Sequence, residues 1–347
     1  MQGSFVTLPP FTMQRVPTPL SEATDWWFDQ LGLGAVHKLT KGNGIRLGIA
    51  DTGVDASHPE LQGALVDAKD FTRSRIGIAD KVAHGTWCAC AAAARENNVG
   101  GIGVAPESQL VIAKVLGDNG SGSNQSVADG IDYLRESGCQ VISMSLGGPQ
   151  PDPYIQAACQ RATKAGVFLV CAAGNSGRNS VPNYPAAWND VCVAVGAVDR
   201  NGNVANFSSW GEYVDIACYG QDVLAGVPGG GYARMSGTSM ATPICAGVVC
   251  LILARHAALG AASKTPIRNV ADLIEHLKRG AKDAGDPGKD RGAGWGLINP
   301  ATAIEPDDQQ PVVPPVAGDP YEVHLPGGMV IHVPGKAGDL LSLGVSV

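Results

Sequence analysis

Three short polar motifs follow one another along the chain and hold a carboxylate, an imidazole and a hydroxyl. They are Asp51-Thr52-Gly53, His84-Gly85-Thr86 and the stretch Gly237 to Pro243, which contains Ser239. A serine becomes a nucleophile when an imidazole accepts its proton and a carboxylate orients that imidazole. The sequence therefore predicts that Ser239, His84 and Asp51 form a catalytic group for acyl transfer.

Each of these residues also has an ordinary structural interpretation, as a turn aspartate, a surface histidine or a helix-capping serine. The local context favours chemistry. Asp51 ends the apolar run 45–50, which is typical of a buried parallel strand, and sites of α/β sheets gather at the carboxyl ends of such strands. Pro243 is tolerated only in the first turn of a helix, which predicts a helix start near Ser239.

A fourth motif, Ala172-Ala173-Gly174-Asn175, follows the apolar run 167–171. Acyl transfer passes through a tetrahedral oxyanion, which is stabilised by hydrogen-bond donors fixed in advance. The side-chain amide of Asn175 carries two such donors. We expect Asn175 to serve the oxyanion.

Together these motifs, in the order Asp, His, Ser, resemble those of the subtilisin-like serine proteases, the subtilases. The resemblance runs from about Trp26 to about Ala303. It implies a subtilisin-like three-layer α/β fold, a mostly parallel sheet with helices on both faces. It also implies that the backbone N–H of Ser239 completes the oxyanion hole with Asn175.

The resemblance further implies where an extended substrate binds. Two edge segments would pair with its backbone, Gly120, Ser121 and Gly122 on one side and Ser145, Leu146 and Gly147 on the other. Ala172, Ala173 and Gly174 would wall the pocket for the residue before the scissile bond, and Asn183 would form its floor. Asn124 stands where many relatives have an aromatic lid on a more distal subsite. The polar residues Asn183 and Asn124 therefore predict loose subsites without a sharp preference for aromatic side chains.

The sequence gives little support for a metal. The chemistry requires no cofactor, and a structural calcium is doubtful because Glu60 replaces the usual ligating aspartate and the loop 97–102 is one residue short. Calcium takes six to eight oxygen ligands, which a shortened loop can fail to supply. Cys88 and Cys90 form the only close cysteine pair and have no partners at zinc-ligand spacing.

Composition is consistent with one large α/β domain, since the chain has 347 residues, 44% hydrophobic and 16% charged. Apolar runs predict strands at 45–50, 110–116, 140–145, 167–172 and 191–197. Helices are predicted at 84–95, 126–137, 153–165, 239–256 and 270–280. Such alternation predicts a parallel sheet covered on both faces.

Charge and cysteine content indicate the partners and the compartment. A net charge of -7 disfavours nucleic acid, and no fully apolar stretch reaches the length of a membrane span, so the expected partner is a polypeptide substrate. The oligomeric state is not predicted. Nine cysteines, mostly within apolar patterns, suit a reducing compartment, and residues 1–10 lack the features of a secretory signal. We therefore expect a cytoplasmic protein.

The domain organisation is predicted as an N-terminal extension (1–25), a catalytic domain (26–303), a Pro-rich linker (304–320) and a C-terminal tail (321–347) with a possible β-hairpin. Leu8-Pro9-Pro10-Phe11 has extended character, because a residue before proline avoids helical angles. We hypothesise that this segment lies in or near the active-site cleft as a built-in inhibitor; a disordered or surface-draped tail is the alternative.

The predicted function is a serine endopeptidase of broad specificity that works through an acyl-enzyme. Two alternatives stay open at this point. One is a dedicated maturation protease that cuts a single leader or precursor peptide. The other is a pseudoprotease, a module that keeps the peptide groove without turnover.

Overall fold

The computed structural model describes residues 5–17, 21–260 and 266–305, together with the backbone of 321–324 and 330–333. The chain divides into two compact units, Met1–Pro306 and Asp307–Val347. In the second unit, Tyr321–His324 pairs antiparallel with Val330–Val333. Most of the predicted linker and the turn of the predicted hairpin lie outside the described residues.

The first unit is built on a parallel sheet of seven strands with two smaller antiparallel sheets beside it. The strands are β1 (Phe5–Thr7), β2 (Thr12–Val16), β3 (Arg46–Asp51), β4 (Leu65–Asp70), β5 (Gln109–Lys114), β6 (Ser121–Ser123), β7 (Val141–Met144), β8 (Phe168–Ala172), β9 (Cys192–Val198), β10 (Ile216–Tyr219), β11 (Val223–Val227) and β12 (Gly231–Ser236). The central sheet has the order β10-β9-β8-β7-β3-β5-β4.

Helices cover both faces of this sheet. They are α1 (Trp26–Gln30), α2 (Leu33–Val36), α3 (His84–Ala93), α4 (Asn124–Glu136), α5 (Pro153–Lys164), α6 (Thr238–Leu259), α7 (Val270–Arg279) and α8 (Pro300–Ala303), with a 3₁₀ turn at Pro59–Leu61. Successive strand residues point to opposite faces, so Ile49 packs in the core under α3 and α6 and Ala50 packs in the core under α4 and α5. The predicted fold class is confirmed.

The five predicted strands and five predicted helices are all present, with ends shifted by three residues or fewer. Strands β4 and β10, at the two edges of the central sheet, were not predicted. Leu65–Asp70 is half polar and half exposed, and Ile216–Tyr219 is only four residues long, so neither gives a clear apolar run. The strands of the antiparallel sheets were missed because they are short, and because β1 and β2 pair with distant segments, β6 and β12. The local hairpin of β11 and β12 was missed as well.

The position of Pro243 in α6 differs from the prediction. The helix begins at Thr238, so Pro243 is its sixth residue and lies beyond the first turn. A proline there leaves the carbonyl of Ser239, four residues earlier, without its helical donor. The Ser145 hydroxyl donates to that carbonyl at 2.9 Å instead.

Helix α6 is also long and apolar enough to cross a membrane by length and composition alone. Its residues are mostly buried between the central sheet and α3, so its apolar character is that of a core helix. This is weak support for a membrane span.

Candidate active site

The predicted site residues stand where secondary-structure elements begin or end. Asp51 is the last residue of β3, His84 the first of α3, and Ser239 the second of α6. The Nδ1 atom of His84 lies 2.8 Å from Oδ1 and 3.0 Å from Oδ2 of Asp51, and both side chains are fully buried. Because a carboxylate only accepts, this contact places the imidazole proton on Nδ1 and leaves Nε2 with a lone pair.

Two glycines allow the Asp51 and His84 turns to touch. A Cβ on Gly85 would overlap the carbonyl oxygen of Gly53, and a Cβ on Gly53, where φ is +111°, would overlap the carbonyl oxygen of Ile78. The two motifs therefore need glycine for close approach.

Asp80 joins the same two motifs through its carboxylate. One oxygen accepts hydrogen bonds from the Thr52 hydroxyl at 2.8 Å and the Ala83 N–H at 3.0 Å, and the other accepts from the N–H and the hydroxyl of Thr86, both at 2.8 Å. Ala83 has a φ of +73°, an uncommon angle for a residue with a Cβ. Asp80 thus fixes the strained backbone directly before His84.

Ser239 lies near the imidazole, and Cys88 contacts both residues. The Ser239 hydroxyl donates to the carbonyl oxygen of Ser145 at 3.4 Å, and within the described residues His84 Nε2 has no hydrogen-bond partner. The Cys88 sulfur lies 3.8 Å from His84 Nδ1 and 3.7 Å from the carbonyl oxygen of Ser239, so it packs between the two. Burial raises the pKa of the Cys88 thiol, which keeps it neutral.

The orientation of the Asn175 amide is fixed by the residue before Ser239. Its Oδ1 accepts from the N–H and the hydroxyl of Thr238, both at 2.8 Å. The Nδ2 group must therefore point away from Thr238, and it donates to the carbonyl oxygen of Pro10 at 2.7 Å. The Thr238 hydroxyl also accepts from the Gly174 N–H at 3.2 Å.

The chain before Pro10 is an extended strand between the two predicted edge segments. Val6 pairs with Gly122 in the antiparallel β1–β6 sheet, and the Leu8 N–H donates to the Gly120 carbonyl at 3.1 Å. Thr7 exchanges two backbone hydrogen bonds with Gly147, at 3.3 and 3.2 Å. Of the remaining edge residues, Ser121 pairs with Thr7, Ser145 contacts Ser239, and Leu146 is buried in the core.

After Pro10 the chain continues as an edge strand. The Phe11 ring packs edge-on against the imidazole of His84, with ring centroids 4.9 Å apart. Strand β2 then pairs antiparallel with β12, in a register that sets Thr12 opposite Ser236 and Val16 opposite Tyr232. Residues 5–16 therefore run past His84 and Asn175. Backbone pairing holds the segment both before this point, at residues 5–8, and after it, at residues 12–16.

A cavity of about 310 Å³ opens beside Pro9 and Pro10. Its lining includes Gly174 and Asn183, and the Asn183 amide donates to the Ala172 carbonyl at 2.9 Å. The neighbouring Ala173 carbonyl accepts from the Tyr213 hydroxyl at 2.9 Å. Of the four predicted pocket residues, Gly174 and Asn183 line this cavity, whereas Ala172 and Ala173 are fully buried and do not line it.

The residues around Glu60 do not fit calcium. The carboxylate accepts hydrogen bonds from the Gly101 N–H and, at 2.7 Å, from the Tyr232 hydroxyl. Its other close neighbours include the imidazole of His58 and the thiol of Cys90. Calcium needs a shell of oxygens, and a donor set with nitrogen and sulfur does not supply it.

Comparison with known proteins agrees with this geometry. The model of the subtilase family matches residues 42–296. The chain belongs to the subtilase family. It is a subtilisin-like serine endopeptidase, and membership of a protease family implies polypeptide substrates.

This subtilase is similar to several proteases. It is 41% identical over 226 residues to an intracellular serine protease of Paenibacillus polymyxa. The aligned residues make up 63% of this chain and 69% of that protein. It is 42% identical over 224 residues to the major intracellular serine protease of Bacillus subtilis, with shares of 62% and 70%. Thermitase of Thermoactinomyces vulgaris is 41% identical over 237 residues, with shares of 68% and 84%.

Sequence reasoning on this subtilase overlooked two residues at the site. Thr238 was quoted within its motif but given no task, although it orients Asn175. Asp80 was overlooked because it lies four residues before α3 and not at the N-cap position, Ala83, where an aspartate would be a capping signal. The strand Thr12–Val16 gave no usable signal, because four of its five residues are exposed.

Proposed function

We propose that this subtilase hydrolyses peptide bonds with Ser239 as nucleophile, His84 as general base and Asp51 as the group that orients His84. The observation that carries the proposal is the buried Asp51–His84 pair, whose Nε2 has no hydrogen-bond partner within the described residues. Cys88 contacts both this imidazole and the backbone of Ser239. A buried imidazole with one nitrogen fixed and the other open is suited to accept a proton.

In the proposed reaction the Ser239 oxygen forms a bond to the substrate carbonyl carbon while its proton moves to His84 Nε2. The carbonyl electron pair moves to oxygen, and Asp51 stabilises the cationic imidazole. The C–N bond then breaks as His84 returns the proton to the leaving amine. A water molecule repeats the sequence on the acyl-enzyme and releases the second product. No step requires a cofactor.

We propose Asn175 Nδ2 and the Ser239 N–H as the donors for the oxyanion. The 2.7 Å bond from Asn175 to the Pro10 carbonyl supports this role, because it is made to a peptide carbonyl next to Ser239. The Thr238 contacts hold the amide in this orientation before any substrate binds.

Substrate binding is proposed to use the two edge segments at Gly120–Gly122 and Ser145–Gly147. Main-chain pairing of this kind is indifferent to side chains and favours broad specificity. The Asn183 amide and the Asn124 amide, which donates to Asp152, add polar groups to the subsites.

We also propose that residues 5–16 inhibit the active site of their own chain. Three contacts support this role, namely the pairing of Thr7 with Gly147, the bond from Asn175 to Pro10, and the Phe11 ring on His84. Through these contacts the segment occupies three parts of the site at the same time: the substrate-pairing edge at Gly147, the oxyanion donor Asn175 and the general base His84. Pro10 has no N–H and a fixed φ, which can disturb attack on the bound peptide and leave it uncut.

A cytoplasmic location is proposed from the cysteines and the relatives. All nine thiols are free and buried, which suits a reducing compartment, and two similar proteins carry the name intracellular serine protease.

The proposed chemistry is tested by incubating the protein and its Ser239→Ala variant with an unrelated unfolded protein. The proposal expects many cleavage sites with the parent and no hydrolysis with the variant. Hydrolysis by Ser239→Ala at the parental rate would refute it.

A further inference from the structure

A second group of chemically reactive side chains lies outside the site described above. His58, Glu60 and Cys90 are each 1% exposed or less, and one potential ligand atom from each lies within 4.8 Å of the others. His58 Nδ1 is 3.9 Å from Cys90 Sγ. In a tetrahedral zinc site, with Zn–N near 2.0 Å and Zn–S near 2.3 Å, these atoms would be about 3.5 Å apart. A shift of a few tenths of an ångström would bring both onto one ion.

The imidazole of His58 presents the correct nitrogen to this group. Its Nε2 lies 3.3 Å from the carbonyl oxygen of Gly231, which can only accept, so Nε2 carries the proton. The Nδ1 lone pair accepts a hydrogen bond of 3.3 Å from the Glu60 N–H and lies 3.9 Å from Cys90 Sγ, so a metal would take the place of this hydrogen bond. Histidine ligands of metals commonly donate their second N–H to a backbone carbonyl in this way.

The carboxylate of Glu60 is held in place by two donors. The Tyr232 hydroxyl donates to Oε1 at 2.7 Å, and the Gly101 N–H donates to the same oxygen. No lysine or arginine of the described ranges 5–17, 21–260 and 266–305 forms an ion pair with Glu60. A buried carboxylate needs a compensating positive charge or a proton, and a bound cation would supply that charge.

The surroundings of Glu60 and Cys90 leave room for a water molecule. A cavity of about 60 Å³ borders Glu60, Cys90 and Tyr232, which exceeds the space that one water needs. On the opposite side, a Cβ on Gly226 would lie 2.6 Å from His58 Cε1 and 2.8 Å from Cys90 Sγ. Glycine at this position is what lets the imidazole and the thiol approach each other.

We propose that His58 Nδ1, Cys90 Sγ and a Glu60 oxygen bind a zinc-class divalent cation, with a water from the cavity as fourth ligand. Imidazole and thiolate are donors that zinc and related ions prefer, whereas calcium prefers oxygen. On binding, the S–H bond of Cys90 breaks, its proton leaves to solvent, and the sulfur forms a bond to the metal in place of a metal-bound water.

Such an ion would connect two elements that carry catalytic candidates. Cys90 lies on α3, which begins at His84, and Tyr232, which holds Glu60, lies on β12, which ends three residues before Ser239. A metal that binds only the folded protein raises its stability. We therefore expect zinc to raise the midpoint of thermal unfolding.

The experiment uses the full chain with Ser239→Ala, so that self-digestion does not interfere. The reduced, metal-free protein is titrated with Co²⁺ and followed by thiolate-to-cobalt charge-transfer absorption, and thermal unfolding is measured with and without Zn²⁺. We expect one equivalent of Co²⁺, a band that disappears in Cys90→Ser and His58→Gln, and about 10–100-fold weaker binding in Tyr232→Phe, which loses a contact to a ligand.

Cys88→Ser is the matched control, because Asp51, His84 and Cys88 form a second group with possible ligand atoms. The proposal requires the band to persist in this variant. A band that persists in Cys90→Ser and disappears in Cys88→Ser would place the metal at the catalytic residues and overturn the proposal. Absence of both the band and the thermal shift in the parent would also overturn it. If Cys90→Ser fails to fold, the test passes to His58→Gln. A thiolate-to-cobalt band that persists in the folded His58→Gln variant would overturn the proposed site.

Discussion

The side-chain amide of Asn175 donates a hydrogen bond of 2.7 Å to the backbone carbonyl of Pro10, a residue of the same chain. The amide cannot turn away from this position, since Thr238 holds its oxygen with two hydrogen bonds of 2.8 Å. If Asn175 stabilises an oxyanion, a substrate carbonyl has to displace Pro10 before it can react. The N-terminal segment and the substrate then compete for one donor.

Removal of residues 1–20 should therefore activate the enzyme. A segment that occupies the cleft most of the time lowers the fraction of competent molecules, so its removal should raise kcat/KM for a small peptide substrate by about tenfold or more. The measurement is initial rates on a chromogenic peptide, with removal of residues 334–347 as a control. A synthetic peptide of residues 5–16, added to the shortened enzyme, should inhibit competitively. An unchanged rate after truncation would show that the segment is only a surface tail.

Asn175→Ala should lower kcat with little change in KM. The proposed hydrogen bond strengthens when negative charge develops on the substrate oxygen, so its loss acts mainly on the transition state. The expected size, about 10²–10³ in kcat, is the loss known for the matching asparagine of subtilisin itself. Steady-state kinetics on the chain without residues 1–20 give both constants. A large rise in KM at constant kcat would mean that Asn175 only binds substrate.

Thr238→Val should give a smaller effect of the same kind, because Thr238 orients Asn175 without touching the substrate. The variant loses the hydroxyl bond to Asn175 Oδ1 and the acceptor of the Gly174 N–H, and it keeps the backbone bond to Asn175. One hydrogen bond contributes about 0.5–1.5 kcal/mol, which corresponds to a two- to tenfold loss in kcat. Thr242→Val is the matched control, since its hydroxyl donates to the Thr238 carbonyl and not to Asn175. Equal losses in both variants would point to a general packing effect.

Asp215 should make stability depend on pH. Burial raises its pKa from 3.8 to about 6, although its carboxylate accepts a hydrogen bond from the Ala194 N–H. Below pH 3.8 both states are protonated. Between the two values the folded protein binds the proton and the unfolded chain does not, so the free energy of unfolding falls as pH rises. At about 1.4 kcal/mol per pKa unit, the loss is complete above pH 6 and amounts to about 3 kcal/mol.

The comparison that isolates this group is Asp215→Asn, in the Ser239→Ala background to prevent self-digestion. Denaturant unfolding at several pH values gives the difference in free energy of unfolding between the two proteins. The free energy of unfolding of the parent, minus that of the variant, should fall by about 2.4 kcal/mol between pH 4 and pH 7. A difference that stays constant over this range would contradict a raised pKa.

Sequence reasoning found the central sheet because its strands, such as Arg46–Asp51 and Cys192–Val198, are buried on both faces and read as continuous apolar runs. The predicted site residues had local signals too, as each stands at the end of such a run or the start of a helix. Edge strands such as Leu65–Asp70 gave weak signals, since one side faces water.

Contacts between distant segments could not be read from spacing. The approach of Cys90 to His58 depends on how α3 packs against the 3₁₀ turn, and the hydrogen bonds of Asp80 depend on a strained Ala83 backbone. Both are consequences of tertiary packing, and the hydrophobic periodicity of a sequence reports only on secondary structure.

The most direct test of the account is labelling with a fluorophosphonate probe, which reacts with an activated serine hydroxyl. The chain without residues 1–20 is treated with the probe, digested and analysed by mass spectrometry, with Ser239→Ala and His84→Ala as controls. The account predicts one adduct per chain on Ser239, no adduct in Ser239→Ala, and strongly slowed labelling in His84→Ala. An unlabelled Ser239 in protein that still hydrolyses peptides, or an adduct on a different serine, would contradict it.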